Sequence, residues 1–246
     1  MPDSPLPSWI VDEPFAHRGL HDSAAGIPEN TIAAFDAAIA SGYAIELDVR
    51  QLGDGTLVVF HDGDLMRACG VDRELSDLTW EDVEQFGLFG TEHRMPSLPA
   101  VLERTDGRVP LLVEVKKDDR DRGIERALHE KLSRYEGRFA VQSFSPTALR
   151  WFRKHAFTAP LGQLAGPLTG EDIHSLRKLS SRWLLGAAVS RPDFINYDLR
   201  GLPDPWLELV SNLASLPVLC WTVRTREDQQ KAEQLGLNYV FDAVRP

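Results

Sequence analysis

Two apolar stretches of the sequence carry charged residues at alternate positions. They are residues 44–49, AIELDV, and residues 111–116, LLVEVK. Side chains two apart on a strand share a face, so Glu46 and Asp48 point one way, as do Glu114 and Lys116. The flanking residues are apolar enough for central strands of a buried parallel sheet. Buried carboxylates repel one another and lose hydration, which favours either a shared cation or pairing with Arg or Lys. Oxygen ligands suit Mg²⁺ or Ca²⁺.

Length and composition narrow the class of protein. The chain has 246 residues, 43% of them hydrophobic, which suits one large α/β domain of barrel type. A net charge of −10 argues against nucleic acid or an anionic membrane as partner. The first 14 residues lack Lys, Arg and a signal-length apolar stretch, and Cys69 and Cys220 are far apart. We therefore expect a reduced, cytoplasmic protein without a stable membrane anchor.

Strand-like and helix-like segments alternate along the chain. Eight strands separated by helices or long connections are the count of a (β/α)8 TIM barrel. A further strand at 56–61 follows the first acidic strand after a short turn, which predicts an antiparallel hairpin with His61 beside Asp48. Asn30 is the expected N-cap of a helix at 31–41, and another helix is predicted at 171–182.

The stretch 62–109 lacks this alternation. It is too long for a loop, so we expect a small insertion or cap within a single barrel domain that spans residues 1–246. The carboxyl ends of barrel strands carry the reactive groups. Two imidazoles, three carboxylates and two cations would meet there: His17, Arg18, Glu46, Asp48, His61, Glu114 and Lys116. Histidine exchanges protons near neutral pH, and Arg suits phosphate oxygens, which favours phosphoryl transfer.

The order of these motifs resembles the glycerophosphodiester phosphodiesterase family. The resemblance covers most of the chain, from residue 15 to about residue 223. It rests on His17-Arg18-Gly19, Pro28-Glu29-Asn30-Thr31, Glu46-Leu47-Asp48-Val49, Val58 to Asp62, Pro96-Ser97-Leu98, Glu114-Val115-Lys116, Gln142 to Pro146 and Trp221-Thr222-Val223.

The resemblance implies a barrel with an insertion after the His-Asp segment, and a role for each matching residue. Glu46, Asp48 and Glu114 would be ligands of one divalent cation, Mg²⁺ or Ca²⁺. His17 and His61 would form the acid–base pair. The small-molecule glycerophosphodiester substrate would meet four residues, with Arg18 and Lys116 on the phosphate and Phe144 and Trp221 in the glycerol or headgroup pocket. The products would be sn-glycerol 3-phosphate and an alcohol.

Several alternatives remain open. A related enzyme of phospholipase D type that cleaves lysophospholipids would present an exposed apolar rim. A barrel enzyme that stabilises an enolate with Mg²⁺ would leave His17, Arg18 and His61 unexplained. A non-catalytic barrel that binds metal and phosphate would bind its ligands without turnover. The sequence also leaves open which histidine is the base, and whether water or a neighbouring glycerol hydroxyl attacks the phosphorus.

Overall fold

The structure is a computed structural model that describes residues 6–117, 123–167 and 186–246. It divides into two compact units, one of residues 16–139 and one of residues 1–15 together with 140–246. The strands of the described residues are β1 (Phe15–Ala16), β2 (Ala44–Gln51), β3 (Leu57–Val59), β4 (Leu111–Val115), β5 (Phe139–Ser143), β6 (Leu161–Ala165), β7 (Phe194–Asp198), β8 (Val218–Val223) and β9 (Asn238–Phe241).

Helices separate most of these strands. In the described residues they are α1 (Ser8–Asp12), α2 (Ile32–Ser41), α3 (Met66–Cys69), α4 (Trp80–Val83), α5 (Leu98–Thr105), α6 (Ile124–Leu132), α7 (Pro146–Lys154), α8 (Ala187–Ser190), α9 (Pro205–Ala214) and α10 (Arg226–Gln234). The helix predicted at 171–182 lies outside the described residues. No helix in the described part of the chain has the length and apolar character that crossing a membrane requires.

In the unit of residues 16–139, the two acidic strands are neighbours. Strand β2 pairs in parallel with β4, and Asp48 lies opposite Glu114 in this register. Strand β2 also pairs antiparallel with β3, with Val49 opposite Val59, so the predicted hairpin is confirmed. The return strand is shorter than predicted because it ends at Val59 rather than His61. His61 therefore lies on the segment that leaves the hairpin.

The predicted helix at 31–41 is confirmed, but its predicted N-cap is wrong. Thr31 has the extended backbone of an N-cap, and its hydroxyl accepts a hydrogen bond from the Ala34 amide. Asn30 has a left-handed backbone, with a φ of 54°, which does not suit that position. Its side-chain amide donates instead to Asp48 Oδ2 at 2.8 Å.

Residues 62–97, which we call the insertion, connect the hairpin to α5, and the predicted role of 62–109 as an insertion or cap stays a prediction. They contain the short helices α3 and α4 before α5 begins at Leu98. Side chains of this stretch, among them Leu65, Leu78 and Val83, pack on Val58 and Phe60 to form a separate small core. The positions of residues 62–97 are therefore fixed by burial, although most of the segment has no regular structure. That residues 1–246 form one domain stays a prediction.

The other unit is built from parallel strands. Strands β5 to β9 follow one another in sequence order, and the pairings from β5–β6 to β8–β9 are parallel. Helices α7, α9 and α10 begin at the capping residues Ser145, Asp204 and Thr225. Parallel strands in this order, each followed by a helix or a long connection, are the pattern of a (β/α)8 barrel. The predicted fold class is confirmed.

Candidate active site

Three buried carboxylates lie together at the ends of two neighbouring strands. Glu46 and Asp48 belong to β2, and Glu114 belongs to β4. One oxygen of each lies within 4.8 Å of one oxygen of the other two. Their residues are 2%, 1% and 6% exposed, so water screens their charges poorly. The alternation in the sequence and the parallel register of β2 with β4 account for this convergence.

Two cationic side chains approach the carboxylates. Lys116 Nζ lies 3.1 Å from Asp48 Oδ1 and 2.7 Å from Glu114 Oε1. Arg18 Nε lies 3.3 Å from Asp48 Oδ2, and the Arg18 backbone N–H donates to Glu46 Oε2 at 3.1 Å. The ion pairs that were one interpretation of the sequence are thus present. A contact of Arg18 or Lys116 with phosphate stays a prediction.

The carboxylates differ in their ease of ionisation. Burial raises the pKa of Glu46 well above its ordinary value, and repulsion from Asp48 and Glu114 raises it further. Burial also raises the pKa of Glu114, and Lys116 only partly offsets the rise. Burial acts on Asp48 in the same direction, but Lys116, His61 and Arg18 outweigh it and hold the pKa of Asp48 well below its ordinary value. Asp48 therefore carries the most stable negative charge of the three.

This donor set fits a hard divalent cation. It supplies carboxylate oxygens and no sulfur ligand, which matches the preference of Mg²⁺ and Ca²⁺. Two of the three carboxyls have raised pKa values because burial and mutual repulsion disfavour their charged forms. A bound dication would relieve that repulsion. Glu46, Asp48 and Glu114 can therefore hold a metal ion.

The two predicted acid–base histidines act on the charge of Asp48. His61 and His17 both contribute to lowering the pKa of Asp48. His61 Nδ1 is 2.7 Å from Asp62 Oδ1. An ionised carboxylate only accepts hydrogen bonds, so His61 donates from Nδ1 and keeps Nε2 for other partners. The catalytic roles of His17 and His61 stay predictions.

Four further side chains extend the site beyond the predicted set, namely Glu29, Asn30, Asp62 and Arg67. Glu29 Oε1 lies 2.7 Å from Arg18 Nη1 and 2.6 Å from Arg67 Nη2, and Arg67 Nε lies 2.6 Å from Asp62 Oδ2. Asn30 joins them through its bond to Asp48. Glu29 and Asn30 belong to the Pro-Glu-Asn-Thr motif. Thr31 can also cap the helix that follows, and this could have suggested that Asn30 has another role. Arg67 lies on the short helix α3 and carries no comparable signal in the sequence.

Phe144 and Trp221 belong to the other unit. Their ring centroids are 5.6 Å apart with an interplanar angle of 77°, an edge-to-face contact. Trp221 Nε1 donates to the Asn196 carbonyl at 3.2 Å, which fixes the indole. Both side chains are partly exposed, as contact with a ligand requires. A role for these residues in binding the headgroup stays a prediction.

Comparisons with known proteins find matches to both the sequence and the fold of this chain. The model of the glycerophosphoryl diester phosphodiesterase family matches residues 17–242. A glycerophosphodiester phosphodiesterase of Caldanaerobacter subterraneus is 30% identical over 239 residues, which cover 92% of this chain and 91% of that protein. An Oleispira antarctica phosphodiesterase, solved with the product sn-glycerol-3-phosphate, has a TM-score of 0.76 at 22% identity and coverages of 95% and 93%. The Thermotoga maritima glycerophosphodiester phosphodiesterase has a TM-score of 0.70 at 24% identity, with 93% of each chain covered.

Proposed function

The chain belongs to the glycerophosphoryl diester phosphodiesterase family, and on this premise we propose that it hydrolyses glycerophosphodiesters to sn-glycerol 3-phosphate and an alcohol. The observation that carries the proposal is the group of Glu46, Asp48 and Glu114, whose oxygens lie within 4.8 Å of one another. Arg18 and Lys116 contact the same group. The product named for the Oleispira antarctica relative is the one proposed here.

One divalent cation, Mg²⁺ or Ca²⁺, would be held by Glu46, Asp48 and Glu114. When bound, it supplies positive charge that neutralises a phosphate oxygen and favours attack at phosphorus. Arg18 and Lys116 would offset the charge of the other phosphate oxygens. Arg18 retains donors beyond those that meet Asp48 and Glu29, and the Lys116 ammonium has three donors for two carboxylate partners.

His17 and His61 would move the protons. One would remove a proton from the nucleophile, and the other would protonate the leaving alcohol oxygen. Asp62 holds the His61 ring through Nδ1, so Nε2 is the atom that exchanges a proton with the substrate. Phe144 and Trp221 would contact the glycerol or the headgroup. A cytoplasmic location stays a prediction.

A coupled assay for released glycerol 3-phosphate tests the proposal. Glycerophosphocholine and glycerophosphoethanolamine would be offered to the wild type with Mg²⁺ or Ca²⁺, to the chelated protein, and to His17→Ala and His61→Ala. His155→Ala is the matched control, because it also removes an imidazole but one that the proposed mechanism does not use. The His155 ring stacks on Trp151 with a centroid distance of 3.8 Å. We expect full activity only in the metal-loaded wild type and the control. Full activity of His61→Ala would contradict the assignment, and metal binding without hydrolysis would favour a non-catalytic barrel.

A lysophospholipid substrate is the second candidate, because the insertion exposes apolar side chains. Met66 is 50% exposed and Phe89 is 38% exposed, and both are neighbours of Arg67. An exposed apolar rim is the feature that this alternative predicts. Comparing hydrolysis of lysophosphatidylcholine micelles with that of soluble glycerophosphocholine separates the two candidates. A Met66→Ser variant that loses activity only on micelles would favour the lipid substrate, because the Met66 side chain is exposed and the proposed mechanism does not use it.

A further inference from the structure

We propose that Arg67 is a positioning residue of the active site, whose guanidinium joins Asp62 to Glu29. Through these two carboxylates it would fix the orientations of His61 and Arg18. The consequence for turnover rests on the proposed function, whereas the consequence for the geometry of His61 does not. Arg67 lies on helix α3 in the insertion, outside the strands that carry the acidic group.

The contacts form an unbroken chain of hydrogen bonds. His61 Nδ1 meets Asp62 Oδ1 at 2.7 Å, and the other oxygen of that carboxylate accepts from Arg67 Nε at 2.6 Å. Arg67 Nη2 donates at 2.6 Å to Glu29 Oε1, and this same oxygen accepts from Arg18 Nη1 at 2.7 Å. Each carboxylate is thus held between Arg67 and one proposed active-site residue.

The charges of this chain agree with its geometry. Burial opposes ionisation of Asp62, but hydrogen bonds from His61 and Arg67 outweigh it, so the pKa of Asp62 lies below its ordinary value. Burial acts in the same direction on Glu29, and Arg67 and Arg18 again outweigh it and lower the pKa of Glu29. Both carboxylates are therefore ionised acceptors at neutral pH.

The chemistry of arginine explains why this residue type is needed. Its planar guanidinium presents donors in fixed directions, so Nε and Nη2 can meet two carboxylates at once. The Phe89 ring lies over the guanidinium, with 5.1 Å between the guanidinium carbon and the ring centroid. The Phe89 amide donates to the Ala68 carbonyl at 2.6 Å, and Leu65 and Ala68 are buried on either side of Arg67. The side chain is thus held at both its backbone and its tip.

Steady-state kinetics of substituted proteins test the consequence for turnover. Arg67→Gln removes the charge and the fork, and Arg67→Lys keeps the charge without the fork. Arg73→Gln is the matched control, because Arg73 is 46% exposed against 45% for Arg67 and pairs with Asp82 in the same insertion. We expect kcat to fall about 10- to 100-fold in Arg67→Gln and about tenfold in Arg67→Lys, with smaller changes in KM. Arg73→Gln should stay within about twofold of the wild type.

The tautomer of His61 supplies a readout that does not depend on turnover. In protein labelled with ¹⁵N-histidine, the neutral His61 ring of the wild type should carry its proton on Nδ1, and its signal is assigned as the one missing from His61→Asn. Arg67→Gln should shift this ring toward a mixture of tautomers. Without the bond from Arg67, the Asp62 carboxylate can turn away from His61 Nδ1 and no longer selects one tautomer. The unfolding midpoint of each variant shows whether the fold is retained.

The two readouts distinguish the failure of this inference from the failure of the proposed function. A wild type without hydrolysis whose His61 tautomer still depends on Arg67 would refute the function and support the positioning role. An active wild type whose Arg67→Gln variant keeps both kcat and the His61 tautomer would refute the positioning role. Full activity of Arg67→Lys would also refute it, because charge alone would then suffice.

Discussion

Two substitutions of acid by amide in the same buried group should change stability in opposite directions. In the presence of chelator, we expect Asp48→Asn to destabilise the protein by about 3 kcal/mol, because it leaves the largely buried cations Arg18 and Lys116 without this partner. We expect Glu46→Gln to be neutral or to stabilise it by about 1 kcal/mol, because it removes a charge that its neighbours repel. The shapes of the side chains hardly change, so the difference isolates the electrostatic contribution to the free energy of unfolding.

The distances give the size of the effect. At an effective dielectric constant of about 20, unit charges at the 3.1 Å and 3.3 Å that separate Asp48 from Lys116 and Arg18 attract by about 5 kcal/mol each. Two carboxylate oxygens within 4.8 Å of each other repel by about 3.5 kcal/mol or more. The attractions exceed the repulsions for Asp48. For Glu46, burial and two repelling carboxylates dominate, in agreement with its raised pKa.

Urea denaturation of the wild type and both variants at pH 7 with chelator measures these differences, and a second series with Mg²⁺ or Ca²⁺ measures the metal response. A cation at about 100 times its Kd should stabilise the wild type by about 2.7 kcal/mol, and each variant by much less. Equal destabilisation by both substitutions in chelator would refute the electrostatic reasoning. Equal stabilisation of all three proteins by metal would refute the proposed ligands.

Three further substitutions test neighbouring parts of the structure. The folded protein holds the pKa of Asp62 below the ordinary value of 3.8. The ionised Asp62 therefore stabilises the fold above pH 3.8, and this contribution is lost as the pH falls through the lowered pKa. The urea midpoint of Asp62→Asn should depend less on pH in this range than that of the wild type. Gly19→Ala should lower the free energy of unfolding by about 2 kcal/mol, because the φ of Gly19 is +81° and an added Cβ would lie 2.8 Å from the Cβ of Ala34. Gly26→Ala is the control and should cost only about 1 kcal/mol, because Gly26 is also left-handed but an added Cβ would have no neighbour within 4 Å. Thr31→Ala should lose about 1 kcal/mol of helix capping that Thr31→Ser keeps, and equal midpoints of these two variants would contradict the assigned cap.

The regular parts of the fold could be predicted because their signals are periodic. Alternation along β2 and β4 places Glu46, Asp48 and Glu114 on the same face of each strand, and the parallel pairing of the strands brings those faces together. The hairpin followed from the short connection between β2 and β3. Its end could not be predicted to the residue, because Phe60 continues the apolar run beyond Val59 and its amide still donates to the Asp48 carbonyl at 2.9 Å.

The contacts of the insertion could not be predicted in the same way. Arg67 lies 38 positions from Glu29 and five from Asp62, and neither separation matches the period of a helix or strand that contains both partners. Its place depends on the small core around Leu65, in which burial rather than periodicity fixes the chain. The N-cap error at Asn30 has a similar origin, because Asn30 and Thr31 both suit a cap and only the left-handed backbone of Asn30 decides between them.

Lys116 shows where a residue can be placed from sequence but its role cannot be assigned. Alternation with Glu114 puts both side chains on one face, and this arrangement suits an ion pair as well as a phosphate contact. The structure has the ammonium 2.7 Å from Glu114 and 3.1 Å from Asp48, which accounts for the raised pKa of Lys116 in spite of burial. The same ammonium has a third donor, so the two roles are compatible. A Lys116→Met variant separates them: loss of the ion pairs changes the unfolding midpoint without substrate, and loss of a phosphate contact raises KM.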